Sequence, residues 1–183
     1  MKSAVLVIDV QSILFDPEPR PYESDSVLNR INSVTSRARI KGIPVIFIQH
    51  EQADTVIAAG SDGWKLQRDL HMEESDFVVA KTTPDSFLNT DLEPLLKQHK
   101  IEHLIVCGYA SEFCVDTTVR RAAGLGYSVT IVSDAHTTHD KSHASGEQIR
   151  AHHNATLPSI SSFGVRISAV STENLGSLGY QTN

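Results

Sequence analysis

The sequence predicts a single doubly wound α/β domain over residues 1–183, with a six-stranded parallel sheet and helices on both faces. Six short apolar runs, rich in valine and isoleucine, are nearly continuous, which is typical of strands buried on both faces. Helix-like stretches separate the runs, and such alternation favours a parallel sheet. The length fits one domain with one core. The predicted strands are residues 4–9, 44–49, 77–81, 103–108, 128–134 and 165–170.

The predicted helices follow from apolar residues at helical spacing and from the glycines that end them. Val27, Ile31 and Val34 recur every three or four residues and define one buried stripe. Gly42 and Gly126 each follow a helix-like stretch and precede a strand, where glycine commonly ends a helix. The predicted helices are residues 25–41, 91–99, 113–125 and 142–157.

Composition and charge narrow the class of protein. Hydrophobic residues at 40% and charged residues at 21% are typical of a soluble globular chain. The net charge of −6 argues against nucleic acid or an anionic membrane surface as a main partner. No run is long and apolar enough to span a bilayer, and the apolar run at residues 4–8 is too short for a signal peptide. We therefore expect a cytoplasmic protein with two free cysteines.

Three reactive side chains follow strands of the predicted sheet. Asp9 ends the first strand, Lys81 ends the third, and Cys114 follows the fourth after a short loop. Taken alone, each has an ordinary interpretation, as a loop hydrogen-bonder, a solvated lysine and a packed thiol. Because parallel strands end at the same edge of a sheet, we expect the three to converge. A thiol, a carboxylate and an ammonium together form a nucleophile with its base.

The chemistry of these residue types gives each a role. A free thiol has a pKa of roughly 8.5, so little thiolate exists at neutral pH. We predict that Cys114 opens a helix whose N-terminus favours the thiolate. Asp9 can accept the thiol proton and return it to a leaving amine, while Lys81 offsets the negative charges. Cys107 lies inside an apolar run and is predicted to be buried and inert.

The loops after the first two strands are the predicted walls of a pocket. Trp64 lies in the second loop, where it either stacks on a ligand or anchors the loop. Phe15 and Phe87 follow Asp9 and Lys81 and either line the pocket or pack in the core. Gln11 is predicted to position the substrate or to brace Asp9.

Three segments resemble the isochorismatase-like cysteine hydrolases, a superfamily that includes nicotinamidases and N-carbamoylsarcosine amidohydrolases. They are VIDVQ at 7–11, the lysine within FVVAKTTPDSF at 77–87, and residues 107–138 around CGYASEFCVDTTVRRAAGLGYSVTIVSDAHTT. The resemblance covers nearly the whole chain. It implies a six-stranded parallel sheet of the isochorismatase-like, Rossmann-like kind and a homo-oligomer, either a dimer or a tetramer.

The same resemblance implies a catalytic triad of Asp9, Lys81 and Cys114. Attack by sulfur places negative charge on the substrate oxygen, which backbone N–H groups usually stabilise. We predict that this oxyanion hole is formed by Ala110 and Cys114. The family turns the loop before the nucleophile with a non-proline cis peptide, which here would be Tyr109–Ala110.

The sequence departs from the family pattern in two places that bear on function. Ser111 and Glu112 replace the usual threonine and aspartate or asparagine before the nucleophile, which changes the loop hydrogen bonds. The metal-binding Asp-x-His of nicotinamidases is missing from residues 48–52, where His50 lies between Gln49 and Glu51. We therefore predict no metal and no other cofactor, and nicotinamide is a less favoured substrate.

The favoured function is hydrolysis of a C–N bond in a small amide, carbamoyl or ureido substrate, through a thioester on Cys114. One alternative is vinyl-ether hydrolysis of an isochorismate-like substrate, although the isochorismatases that act in this way lack the nucleophilic cysteine. Another alternative is a non-enzymatic domain that binds a small molecule or senses its environment through a reactive thiol.

Overall fold

A computed structural model describes residues 1–176 and contains one six-stranded sheet. The strands are β1 (Ser3–Ile8), β2 (Val45–His50), β3 (Phe77–Lys81), β4 (His103–Tyr109), β5 (Ser128–Thr137) and β6 (Ile167–Val170). All neighbouring pairs are parallel, and the order across the sheet is β3-β2-β1-β4-β5-β6. The predicted fold class is confirmed.

In the described part of the chain, five α-helices accompany the sheet: α1 (Ser12–Phe15), α2 (Ser24–Ile40), α3 (Leu92–Gln98), α4 (Asp116–Gly124) and α5 (Gly146–Thr156). Alternate residues of β1 enter two separate hydrophobic layers, because successive side chains of a strand point to opposite faces. Leu6 and Ile8 lie in one layer with apolar residues of α3 and α4. Val5 and Val7 lie in the other with the buried stripe of α2. Burial on both faces explains why β1 is apolar throughout.

The edge strand β3 departs from the expected burial on both faces. Val79 and Lys81 are buried, whereas Val78 is 45% exposed. An edge strand has a neighbour on one side only, and one face of β3 remains open to solvent.

Two helix boundaries differ from the predictions for identifiable reasons. Helix α5 begins at Gly146 rather than at residue 142, because Ser145 and Gln148 form a capping box that fixes its start. The helical region predicted from residue 113 begins with a π-helical turn at Ser111–Val115, and α4 follows it. The short helix α1 was not predicted.

The order of the strands places a topological switch point beside β1. The chain leaves β1 toward β2 on one side and later adds β4 on the other, so β1 and β4 flank the point where the connections reverse. Ligands bind at the carboxyl ends of the strands at such a point. Gly108 near the end of β4 has a φ of +117°, and a side chain there would collide with the backbone oxygen of Ile8. This close approach requires glycine.

Within residues 1–176, no helix combines the length and the apolar character needed to cross a lipid bilayer.

Candidate active site

Asp9 and Lys81 form a buried ion pair at the carboxyl edge of the sheet. Asp9 is the first residue after β1, and Lys81 is the last residue of β3. The Lys81 Nζ atom lies 2.7 Å from Asp9 Oδ2, and the two side chains are 0% and 2% exposed. Strand β2 lies between β1 and β3, so the flexible lysine stem crosses the end of β2 to reach the carboxylate.

Cys114 completes the cluster from the other side of β1. Its Sγ atom lies 3.3 Å from Lys81 Nζ, and its side chain is partly exposed. The three side chains predicted from the strand ends therefore lie together. Cys114 is the fourth residue of the π-helical turn rather than the first residue of a helix, so the predicted placement at a helix N-terminus is wrong.

The surroundings of Cys114 favour its neutral form. Burial is the main cause, the negative charge of Asp9 adds to it, and together they raise the thiol pKa to about 12 although Lys81 opposes them. The predicted lowering of the Cys114 pKa by a helix N-terminus is therefore replaced by a raised pKa. Asp9 Oδ1 is buried and has no hydrogen-bond partner among the described residues. This oxygen is free to accept a proton when the thiol ionises.

The two cysteines should differ in access rather than in acidity. Cys107 is fully buried on β4, as predicted, and burial raises its pKa to about 12 as well. Iodoacetamide at mildly alkaline pH should therefore modify Cys114 while Cys107 stays protected in the folded protein. Peptide mapping by mass spectrometry after limited labelling measures both sites. Faster modification of Cys107 would contradict the assignment of Cys114 as the accessible thiol.

His50 joins this cluster, and the sequence did not assign it a place there. Its Nδ1 atom lies 3.0 Å from Lys81 Nζ, and burial, followed by the Lys81 charge, lowers the pKa of the imidazole. One ligand atom each of Asp9, His50 and Cys114 lies within 4.8 Å of the others, a spacing that a metal ion could bridge. The Lys81 ammonium lies among these atoms and already supplies a positive charge there. One feature of the sequence could have placed His50 in the cluster: it ends the second strand, and that strand ends at the same edge of the sheet as the first and third.

The loop before Cys114 is fixed by a buried chain of hydrogen bonds. Ser111 Oγ lies 2.8 Å from His136 Nδ1, and His136 Nε2 lies 3.0 Å from Asn154 Oδ1. Burial lowers the His136 pKa to about 4, so the neutral ring accepts from Ser111 and donates to Asn154. The Tyr109–Ala110 peptide bond is cis, at the position that the resemblance names.

Glu112, the second residue that departs from the family pattern, also makes contacts that fix this loop. Its Oε1 atom accepts a hydrogen bond from Thr138 Oγ1 at 2.8 Å and lies 3.4 Å from Lys141 Nζ. Ser111 and Glu112 thus tie the loop before Cys114 to the segment at the end of β5 and just beyond it.

Gln11 braces the end of β2 and the Trp64 loop rather than Asp9. Its Nε2 atom donates to the carbonyl oxygens of His50 and Trp64, both at 2.9 Å, and its Oε1 atom accepts from the His50 N–H. Gln49 donates to the same Trp64 carbonyl at 3.0 Å. The Trp64 indole N–H is buried without a hydrogen-bond partner within residues 1–176. Whether its ring contacts a ligand stays a prediction.

Phe15 and Phe87 lie in the hydrophobic layers, which supports their packing interpretation. Phe15 has no exposed surface and meets the Tyr109 ring edge-on at 5.9 Å between centroids. Phe87 is 6% exposed and stacks on Tyr127 at the same distance. Such buried rings offer a ligand little or no surface to contact.

The doubly wound fold and a carboxylate, ammonium and thiol at its carboxyl edge define a class of small α/β hydrolases. The sequence model of the isochorismatase domain family matches residues 3–160 of the chain. The chain belongs to the isochorismatase family, and the resemblance of its three segments to that family is confirmed.

Individual relatives and a solved structure show how similar the chain is to other proteins and over what share of each chain. A streptothricin hydrolase from Streptomyces noursei is 36% identical over 138 residues, which are 75% of this chain and 50% of the relative, so the chain spans about half of that protein. A ureidoacrylate amidohydrolase from Klebsiella pneumoniae is 26% identical over 80% of this chain and 77% of the relative. The crystal structure of an isochorismatase family protein superposes with a TM-score of 0.84 at 33% identity, over 92% of this chain and 98% of that one.

Proposed function

We propose that this isochorismatase-family hydrolase cleaves the C–N bond of a small amide, carbamoyl or ureido substrate through a thioester on Cys114. One observation carries the proposal. The Lys81 ammonium lies 2.7 Å from the Asp9 carboxylate and 3.3 Å from the Cys114 sulfur, while Asp9 Oδ1 has no hydrogen-bond partner within residues 1–176. A nucleophile, a base with a free lone pair and a fixed cation share one buried site, which is the arrangement that covalent hydrolysis requires.

In the first step, Asp9 Oδ1 takes the proton of the Cys114 thiol and the sulfur attacks the substrate carbonyl. The Lys81 ammonium stays beside the sulfur as its charge develops. The negative charge then moves to the carbonyl oxygen. We assign its stabilisation to the backbone N–H groups of Ala110 and Cys114, since positioned donors are the usual means.

In the second step, the tetrahedral intermediate collapses, the C–N bond breaks and the protonated Asp9 gives its proton to the departing nitrogen. The products are a free amine or ammonia and a thioester on Cys114. Asp9, again a carboxylate, removes a proton from water as the water attacks the thioester. The C–S bond then breaks, and the proton returns to the sulfur as the acid is released.

The relatives support hydrolysis of an amide-like bond. One is named as an amidohydrolase that acts on ureidoacrylate, and another as a hydrolase of streptothricin. The chain is 36% and 26% identical to the streptothricin hydrolase and the ureidoacrylate amidohydrolase, respectively, and the proposal stops at the class of bond.

A panel of small amides, carbamoyl compounds and ureides, scored by ammonia or amine release, tests the proposal. We expect turnover of at least one member and background release from Cys114→Ala. Full activity of Cys114→Ala on an isochorismate-like vinyl ether would instead favour the non-covalent alternative. A modifiable Cys114 without turnover of any panel member would favour the binding or thiol-sensing alternative.

A further inference from the structure

The Lys81 ammonium faces more acceptors than it has hydrogens. Its Nζ atom lies 2.7 Å from Asp9 Oδ2, 3.0 Å from His50 Nδ1, 3.1 Å from the Thr83 carbonyl oxygen and 3.3 Å from Cys114 Sγ. A lysine ammonium has three N–H groups. At any moment, one of the four acceptors must share a hydrogen or go without one.

The chemistry of the four acceptors decides which of them compete. The Asp9 carboxylate is charged and makes the shortest contact, so it keeps its hydrogen. The Thr83 carbonyl is fixed by the backbone just after β3. The third hydrogen is therefore contested by His50 and Cys114. While Cys114 is a thiol its sulfur is a weak acceptor, whereas an imidazole nitrogen is a good one.

The contact also fixes the form of His50. Because the Lys81 ammonium can only donate, Nδ1 must carry the lone pair, and the single ring hydrogen lies on Nε2. The charged groups that face the ring are Lys81, Asp9 and Glu51, and Cys114 lies close by. Burial and Lys81 lower the His50 pKa, which keeps the ring neutral. A neutral acceptor can lose a hydrogen bond without leaving an unpaired charge.

We propose that His50 is a positioning residue that holds the third N–H of Lys81 while Cys114 is a thiol and yields it to the sulfur when Cys114 ionises. No covalent bond to Lys81 changes, because the thiol proton goes to Asp9 Oδ1. His50 thereby holds the resting nucleophile in its protonated, less reactive form. The inference rests on Cys114 being the nucleophile of the proposed function.

The rate of Cys114 alkylation by iodoacetamide, measured against pH, tests this role without any substrate. His50→Leu removes the competing acceptor, so the third N–H of Lys81 passes to the sulfur. We expect alkylation about tenfold faster near neutral pH, which corresponds to an apparent pKa about one unit lower. His50→Asn supplies an amide oxygen near the position of Nδ1 and should return the rate toward that of the unaltered protein.

Three controls separate this role from a loss of structure. Continued protection of Cys107 shows that the fold is intact, and His50→Ala removes the same acceptor with less bulk. His103→Leu removes an imidazole that contacts Ser3 and Thr130 at the opposite, amino-terminal end of β4, and should leave the rate unchanged. Unchanged or slower alkylation in the folded His50→Leu and His50→Ala variants would overturn the proposal, as would His50→Asn reacting as fast as His50→Leu. Because alkylation needs no turnover, this result stands apart from that of the substrate panel.

Discussion

Turnover should fall about 10²–10⁴-fold when Asp9 is replaced by asparagine, the usual range for losing a general base. Asparagine keeps the volume of the side chain but cannot accept the thiol proton at the position of Oδ1, the oxygen that is free in the structure. Steady-state hydrolysis of a panel substrate measures the loss. Asp62→Asn, at a carboxylate 97% exposed, is the matched control and should retain full activity.

The same variant should make Cys114 easier to alkylate. The Asp9 charge is one of the causes that raise the pKa of Cys114, so removing it lowers that pKa and raises the thiolate fraction at a given pH. Faster alkylation of Cys114 combined with loss of turnover would identify Asp9 as the base. Turnover within about threefold of the unaltered protein would be too small a loss for a general base and would rule out this role.

Replacing Lys81 with methionine should destabilise the fold by about 3–5 kcal/mol, the usual cost of breaking a buried pair by removing one partner. Methionine follows the lysine stem, so packing changes little. The cost arises because the Asp9 carboxylate, 2% exposed, is left without its cation. Urea unfolding of the variant measures the change. Lys97→Met, at an exposed lysine paired with Glu93 on α3, is the control and should leave the unfolding midpoint unchanged.

The double variant Asp9→Asn/Lys81→Met distinguishes loss of the ion pair from loss of packing. Removing both charges leaves no unpaired ion, so the double variant should recover much of the stability lost by Lys81→Met. It should remain inactive, because the base is missing. A double variant no more stable than Lys81→Met would show that the lysine stem, rather than its charge, stabilises the fold.

The strand ends were the most informative part of the sequence. Apolar runs followed by Asp9, Lys81 or Cys114 were enough to place these residues at one edge of a parallel sheet, because that placement depends only on strand direction. Boundaries were less predictable where local side-chain contacts set them. The capping box of Ser145 and Gln148 moved the start of α5, and the π-helical turn moved Cys114 away from the predicted helix start.

Properties that depend on burial and on distant partners were not predictable. The Cys114 thiol was expected to be acidified, but its pKa depends on how much solvent and how much of the Asp9 charge reach it. Phe15 and Phe87 could be given two interpretations from sequence, and only their burial favoured packing. His50 was considered only as part of an incomplete metal motif, since nothing local to it indicates contact with Lys81.

The sequence by itself determined the sheet and the carboxylate, ammonium and thiol that meet at its edge, because hydrophobic periodicity and strand ends are local features of a chain. The family followed from the resemblance of three segments of the sequence. The tertiary structure decided which partners those groups have. His50 and Lys81 are 31 residues apart, and Ser111 and His136 are 25 apart. Contacts over such separations are set by strand order and packing. These contacts therefore determine whether Cys114 is protonated and which acceptor takes the third N–H of Lys81. They also determine which hydrogen bonds fix the loop before Cys114.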